Sequence, residues 1–229
     1  MAIDYDHTKN VHTLSGPKAA LPVMFADGAP RSLLDVGCGA GTWLAAAREF
    51  GIADIFGVDG VDLTPEKLLF PAKYFLKQDL TTSWSLDRRF DVVLCLEVAE
   101  HLPEETATTL INTLALHSDR IIFSAAAPGQ DGQHHINCQW PEYWQKKFND
   151  CGYVCGDGLR WRIWADDRIE PWYRQNLFIA QQNSAQAGRE PRIPSVIHPA
   201  NLRIMCDGTF KSAATDTTVQ RLYAKLRKK

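Results

Sequence analysis

A glycine-rich turn between an apolar run and a helical pattern restricts this chain to an α/β architecture. Residues 33–36 are apolar apart from one Asp and predict a buried parallel strand. Glycines follow at positions 37, 39 and 41, and residues 42–48 then have the pattern of a helix. Glycine lacks a side chain, so a ligand can approach the backbone closely where such a strand passes into its helix. The sequence therefore predicts a ligand site at the carboxyl end of the first strand.

The spacing of these glycines narrows the class of ligand. A dinucleotide fingerprint places its third glycine where this chain has Thr42, whereas Gly41 comes one residue earlier. Gly-x-Gly-x-Gly after an acidic residue, here Asp35, resembles motif I of the class I S-adenosylmethionine (SAM)-dependent methyltransferases. The resemblance implies SAM as the cofactor, a ligand without phosphate whose cationic amine and sulfonium suit a carboxylate.

Acidic residues also end the next three predicted strands. Asp59 lies about twenty residues beyond the glycines, the spacing at which a carboxylate reaches ribose hydroxyls in a βαβ unit. In the methyltransferase pattern, Asp79 would accept from the adenine amino group and Leu80 would offer its amide to the ring. Ordinary loop acids are the alternative. The expected cofactor-binding residues are Asp35, Gly37, Cys38, Gly39, Gly41, Asp59, Gly60, Asp79, Leu80 and Glu97.

The order of apolar runs predicts a Rossmann-like α/β fold. We expect a seven-stranded, mostly parallel sheet with helices on both faces and an antiparallel last strand. Residues 153–155 and 175–180 should form the closing antiparallel pair, and residues 218–229 a basic amphipathic helix. The expected domains are an N-terminal helical cap at 1–31, the SAM-binding core at 32–181, and a linker and C-terminal extension at 182–229.

Composition favours a cytoplasmic enzyme. The 229 residues carry a formal net charge of −2, which gives no general attraction to nucleic acid or membranes. The sequence has no apolar stretch of membrane-spanning length, and residues 1–6 lack the basic and apolar regions of a signal peptide. Six scattered cysteines, one of them in the glycine turn, suggest reduced thiols. A small-molecule partner is expected, with no membrane.

Two clusters of chemically active side chains follow the fourth and fifth predicted strands. Glu97, Glu100 and His101 come directly after the fourth strand, and His134 and His135 lie in the long loop after the fifth. Because these strands are adjacent in this fold, both segments should face the same pocket. Two carboxylates and two imidazoles can hold a divalent cation, with oxygen ligands favouring Mg²⁺ or Mn²⁺ and imidazole admitting other metals.

The spacing Glu-x-x-Glu-His with a later His resembles the metal-binding set of two methyltransferase groups. These are the ubiquinone-pathway catechol O-methyltransferases and the small-RNA 3′-terminal 2′-O-methyltransferases. The resemblance implies Glu97, Glu100, His101 and His135 as ligands of a metal that polarises one of two vicinal hydroxyls.

Two interpretations without a metal compete with this one. Either His101 or His135 serves as a general base, with Glu97 as a further catalytic candidate. Alternatively, the two loop histidines, at positions 134 and 135, bind only backbone, and Glu100 and His101 merely cap the following helix and orient loops.

An aromatic and basic segment, residues 156–174, is the candidate for acceptor contacts. Aromatic faces stack on rings, and arginines bind phosphates or carboxylates. The alternative is that its tryptophans cover the core. The expected substrate contacts are His134, Trp161, Trp164 and Arg174.

The layout of residues 10–181 is similar to that of one bacterial branch of these methyltransferases. Segments 12–19, 97–103, 134–139 and 172–177 carry that similarity. It implies O-methylation of a small hydroxylated acceptor, such as a sugar or a natural-product intermediate.

Three other functions stay open. An RNA or tRNA methyltransferase would need a basic strip leading to the pocket, whereas a small acceptor needs an enclosed, aromatic-lined cavity. An N-methyltransferase acting on a small amine is the second. A SAM-binding partner protein without catalysis is the third.

Overall fold

A computed structural model describes residue 5 and residues 13–61 and 63–206. Seven strands form one sheet in the order β3-β2-β1-β4-β5-β7-β6, in which β1 to β5 run parallel and β6 and β7 pair antiparallel. The predicted Rossmann-like fold is therefore confirmed. The strands are β1 Ser32–Val36, β2 Asp54–Asp59, β3 Phe75–Lys77, β4 Val92–Leu96, β5 Arg120–Ser124, β6 Tyr153–Gly156 and β7 Phe178–Gln182.

Helices cover both faces of the sheet because successive residues of each buried strand point to opposite sides. Leu34 and Val36 of β1 belong to the core under α3 and α4, whereas Leu33 belongs to the core under α1, α2, α5 and α6. The helices are α1 Ser15–Met24, α2 Thr42–Glu49, α3 Ala107–His117, α4 Pro141–Asp150, α5 Gly158–Ile163, α6 Pro171–Asn176 and α7 Pro199–Cys206. No helix among the described residues is both long and apolar enough to cross a membrane.

Two strands lie further along the chain than their apolar patterns predict. The third begins at Phe75 because residues 72–74 form a 3-10 turn. The last begins at Phe178 because Pro171, at the first position of a helix, starts α6, which ends at Asn176. The helix predicted over residues 218–229 lies outside the described residues.

The strand order positions the site. From β1 the chain continues to β2 on one side, while β4 occupies the other side, so the order reverses between β1 and β4. In open α/β sheets, ligands bind outside the carboxyl ends of the strands at such a reversal. The glycine turn follows β1, and Glu97 follows β4.

Candidate cofactor and acceptor site

A cavity of about 660 Å³ opens at this reversal point. Its volume lies within the range that holds small-molecule ligands and cofactors. The ends of β1, β2 and β4, the loop after β5, α6 and α7 all contribute to its wall.

The turn after β1 depends on its glycines. Gly37 has φ +78°, and its amide donates to the Val58 carbonyl over 2.7 Å. A Cβ there would lie 2.2 Å from Cγ2 of Val98, so the tight approach of the turn to the segment after β4 requires glycine. The turn therefore presents bare backbone to the cavity.

Asp59 ties the glycine turn to the end of β2. Its Oδ2 accepts from the Gly39 amide and its Oδ1 from the Val61 amide, both over 2.8 Å. The carboxylate is thus oriented by backbone donors at the cavity wall.

Nine of the ten predicted cofactor-binding residues line the cavity. The exception is Gly41, which precedes α2 with φ +84° and would strike the Phe70 ring if it carried a Cβ. Asp79 sits at the wall with its Oδ1 accepting from the amide and hydroxyl of Thr81, which lowers its pKa. The nine are Asp35, Gly37, Cys38, Gly39, Asp59, Gly60, Asp79, Leu80 and Glu97.

The cavity wall is acidic. Among the described residues that line it, Lys77 is the single Lys or Arg. Burial, together with the charge of Asp59, raises the pKa of Asp35 to about 8. A wall of this charge, next to a glycine turn open to ligand, fits SAM because SAM carries a cationic amine and a sulfonium. The six lining carboxylates are those of Asp35, Asp59, Asp79, Glu97, Glu100 and Asp131.

Three predicted metal ligands come together at the cavity wall. One donor atom each from Glu100, His101 and His135 lies within 4.8 Å of the other two. The two imidazole rings are 4.9 Å apart between centroids. We call Glu100, His101 and His135 the donor group.

Backbone hydrogen bonds explain why residues so far apart in sequence meet. The amides of Ile136 and Asn137 both donate to the main-chain carbonyl of Glu100, over 2.9 and 3.0 Å. The loop after β5 is thereby fastened to the 3-10 turn Ala99–His101, which places His135 beside His101.

The donor group contains buried polar atoms without hydrogen-bond partners. Both carboxylate oxygens of Glu100 and Nδ1 of His101 are buried and meet no partner at full hydrogen-bonding geometry, although the main-chain amides of Glu100 and Ala126 lie close enough to the carboxylate to lower its pKa. Burial, and then the charge of Glu97, raise the pKa of Glu100. An unpartnered buried carboxylate is costly for a folded protein, which indicates a site built for a cationic ligand.

Both imidazoles of the group favour the neutral form that binds metals. Burial and the neighbouring His135 lower the pKa of His101 to about 4, and burial lowers the pKa of His135. Nδ1 of His135 lies 3.0 Å from the Gln130 carbonyl. A proton on Nδ1 would therefore be donated to that carbonyl, leaving the lone pair of Nε2 for a ligand.

The structure places Glu97, the fourth predicted metal ligand, outside the donor group. Its Oε2 accepts from the Gln130 side chain over 2.7 Å, and both oxygens accept from Asn176. Its backbone has φ +55°, rare for a residue with a side chain, and its amide bonds to Ser124. Glu97 still lines the cavity, and these hydrogen bonds hold its carboxylate in a fixed position at the wall.

The four predicted substrate residues, His134, Trp161, Trp164 and Arg174, are not among the residues that line the cavity. The Trp164 ring stacks on the His198 ring, and the main-chain carbonyl of Trp164 accepts a hydrogen bond from the buried Arg174. The side chains of Trp164 and Arg174 therefore contact other parts of the protein. Trp161 is 47% exposed but stacks on Trp164. His134 points to solvent. The aromatic wall is instead supplied by Trp172 and Tyr173 of α6 and by Tyr5, whose ring is 5.0 Å from that of His101.

Residues 197–205 also reach the cavity, although the sequence pattern assigns them only to a C-terminal extension. Ile197, Asn201, Ile204 and Met205 line the wall. The helical spacing 201, 204, 205 is the one signal that could have indicated a single inward face.

Comparison with known proteins identifies the family. The methyltransferase domain family matches residues 8–168. A ubiquinone biosynthesis O-methyltransferase from Haemophilus ducreyi is 27% identical over 107 residues, which are 41% of this chain and 44% of that protein. The matched part therefore spans less than half the length of this relative.

Solved structures share the fold. Magnesium protoporphyrin IX methyltransferase from Synechocystis PCC 6803, with bound SAM, superposes with a TM-score of 0.52 and 23% identity, over 74% of this chain and 79% of that one. A sugar N-methyltransferase from Streptoalloteichus gives 0.54 and 15%, over 77% and 91%.

Proposed function

The chain belongs to the methyltransferase domain family, and we propose that it is a SAM-dependent enzyme that O-methylates a small hydroxylated acceptor with the help of a divalent cation. The observation that carries the proposal is the donor group, with its unpartnered Glu100 carboxylate, in the same cavity as the glycine turn.

The donor chemistry fits Mg²⁺ or Mn²⁺. Glu100, His101 and His135 would hold the cation; the carboxylate favours Mg²⁺ or Mn²⁺, and the neutral imidazoles also admit other divalent metals. A bound cation would lower the pKa of an acceptor hydroxyl. His101 and His135 would hold it, and the Gln130 carbonyl would keep the His135 ring oriented. In the transfer itself, the acceptor hydroxyl loses its proton to solvent, and its oxygen bonds to the methyl carbon as the carbon–sulfur bond breaks, which leaves SAH.

The competing role of His101 as a general base is less well supported. A base acts best when its pKa is near the working pH. Burial lowers the pKa of His101 to about 4, and a base that weak accepts little of the hydroxyl proton at neutral pH. Ligation of a cation makes better use of a neutral, buried imidazole.

The charge of the cavity supports a small acceptor over RNA. Nucleic-acid sites need Lys and Arg to neutralise phosphates. Among its described residues this wall offers Lys77 as the single Lys or Arg, beside six acidic side chains. A sugar or natural-product intermediate with neutral hydroxyls needs no such basic residues, and the curated relative is itself named for O-methylation.

Calorimetric titration of Mn²⁺ into the complex with S-adenosylhomocysteine (SAH) tests the proposal. Wild-type protein should bind one cation, and His135→Asn should weaken it by at least about tenfold, because the shorter amide cannot reach the donor group. His134→Asn is the matched control: His134, the residue next to His135, is exposed and has φ +51°, a conformation that Asn tolerates. If both variants bind like wild type, the metal part of the proposal is wrong.

Gly132→Ala should disturb the same site without unfolding the protein. A Cβ on Gly132 would lie 2.1 Å from Nε2 of His135, so the ring must move. Because the new methyl group meets only a side chain, we expect the melting temperature to stay within about 2 °C. Mn²⁺ affinity should fall by about tenfold. An unchanged affinity would show that His135 is not a ligand.

A further inference from the structure

Residues 197–206 contribute apolar side chains to the cavity wall. Ile197, Ile204 and Met205 all line the wall. Ile197 and Ile204 are nevertheless 36% and 43% exposed. Large aliphatic side chains that face a ligand cavity and stay in contact with water gain free energy when an apolar group covers them.

Buried hydrogen bonds fix this segment to the rest of the site. Nδ2 of Asn201 and the amide of His198 both donate to Oε1 of Gln175, each over 2.9 Å. The side chain of Gln175 in turn donates to Asn176, whose amide binds the Glu97 carboxylate. The apolar residues of α7 are therefore held in a defined position relative to Glu97 at the cavity wall.

The apolar wall adjoins the donor group. The methyl carbon of Met205 lies 3.0 Å from the position of a Cβ on Gly129. The next residue, Gln130, contacts Nδ1 of His135 through its carbonyl. A ligand whose hydroxyls reach the donor group would therefore have its remaining atoms near Met205 and Ile204.

We propose that residues 197–206 form an apolar subsite for the methyl acceptor, which carries an apolar group of about ring size beside its hydroxyls. This inference rests on the proposed function, since it places the hydroxyls at the donor group. The occupant is the acceptor itself because the apolar wall is continuous with the cavity of the donor group and the glycine turn. An acceptor that is polar throughout would leave Ile197, Ile204 and Met205 against water.

Two diols that differ by one apolar ring test this subsite. Catechol and 4-phenylcatechol would be titrated into the protein saturated with SAH and Mg²⁺. The phenyl group should tighten binding by about tenfold or more, as expected for burial of a ring against aliphatic side chains. Ile204→Ser should remove most of that gain.

Leu202→Ser is the matched control. Leu202 lies on the same helix and is 38% exposed, yet it does not line the cavity. It should keep the full preference for 4-phenylcatechol. Equal affinity for the two diols, binding of neither diol, or equal losses in both variants would overturn the inference. So would a dimer that Ile204→Ser dissociates in sedimentation, because a second copy would then be the occupant.

Different results would contradict the apolar subsite and the metal part of the proposed function. If SAH binds and Mn²⁺ binding depends on His135, but the phenyl group brings no gain, only the apolar subsite is wrong. If Mn²⁺ binding does not depend on His135, the metal part of the proposed function is wrong, and the diol titration still reports whether α7 selects an apolar group.

Discussion

Glu100→Gln is expected to weaken Mn²⁺ binding by at least about a hundredfold while raising the stability of the metal-free protein. The carboxylate is fully buried, and neither of its oxygens meets a partner at full hydrogen-bonding geometry. Without a cation, the native state therefore bears the cost of desolvating this group. The neutral amide lowers that cost but supplies a much weaker ligand. Methyl transfer to a diol should fall by about a hundredfold or more.

Thermal unfolding with and without Mn²⁺ separates the two effects. Wild-type protein should gain several degrees when Mn²⁺ is added, and Glu100→Gln should melt higher than wild type in chelator yet gain nothing from the metal. Glu105→Gln, which removes an exposed acid a few residues away, should behave like wild type throughout. A Glu100→Gln variant that melts lower in chelator and still responds to Mn²⁺ would contradict the assignment of Glu100 to the donor group.

Most of the fold could be predicted because local signals and long-range contacts agree. Buried parallel strands are nearly continuous apolar runs, and β1, β2, β4 and β5 all show this pattern. The edge strand β3 has only three residues, which are partly or fully exposed, so its bounds carried little signal. The glycine turn and the acids at the strand ends were predictable since the fold brings carboxyl ends of parallel strands to one edge.

The acceptor side was harder to predict because tertiary contacts decide it. Arginines and tryptophans in residues 156–174 look like ligand contacts, but Arg160 and Arg174 bind backbone carbonyls in the interior. Residues 197–206 are mostly apolar, but they follow a polar linker, so the sequence alone does not show where they pack. Bonds from Asn201 to Gln175 and to the Pro171 carbonyl help to hold that helix at the cavity, and no local pattern encodes those bonds.

The affinity for SAH should increase with pH and level off near pH 8. Burial, and secondarily the charge of Asp59, raise the pKa of Asp35 to about 8, so the ligand-free protein holds a proton on Asp35 at pH 6 to 7. Binding of a cationic amine requires the carboxylate and therefore releases that proton. The association constant should rise by nearly tenfold per pH unit below pH 8 and then become constant.

Asp35→Asn isolates this group from all other titrations. The amide cannot ionise, so the pH slope between pH 6 and 8 should disappear, and affinity at pH 8.5 should fall by about tenfold or more through loss of a charge-assisted contact. Calorimetry in two buffers of different ionisation enthalpy would count the released proton directly. Asp27→Asn, on an exposed turn, should keep the wild-type slope. A slope that survives Asp35→Asn would assign the titration to another cavity carboxylate and would remove Asp35 from contact with the cofactor amine.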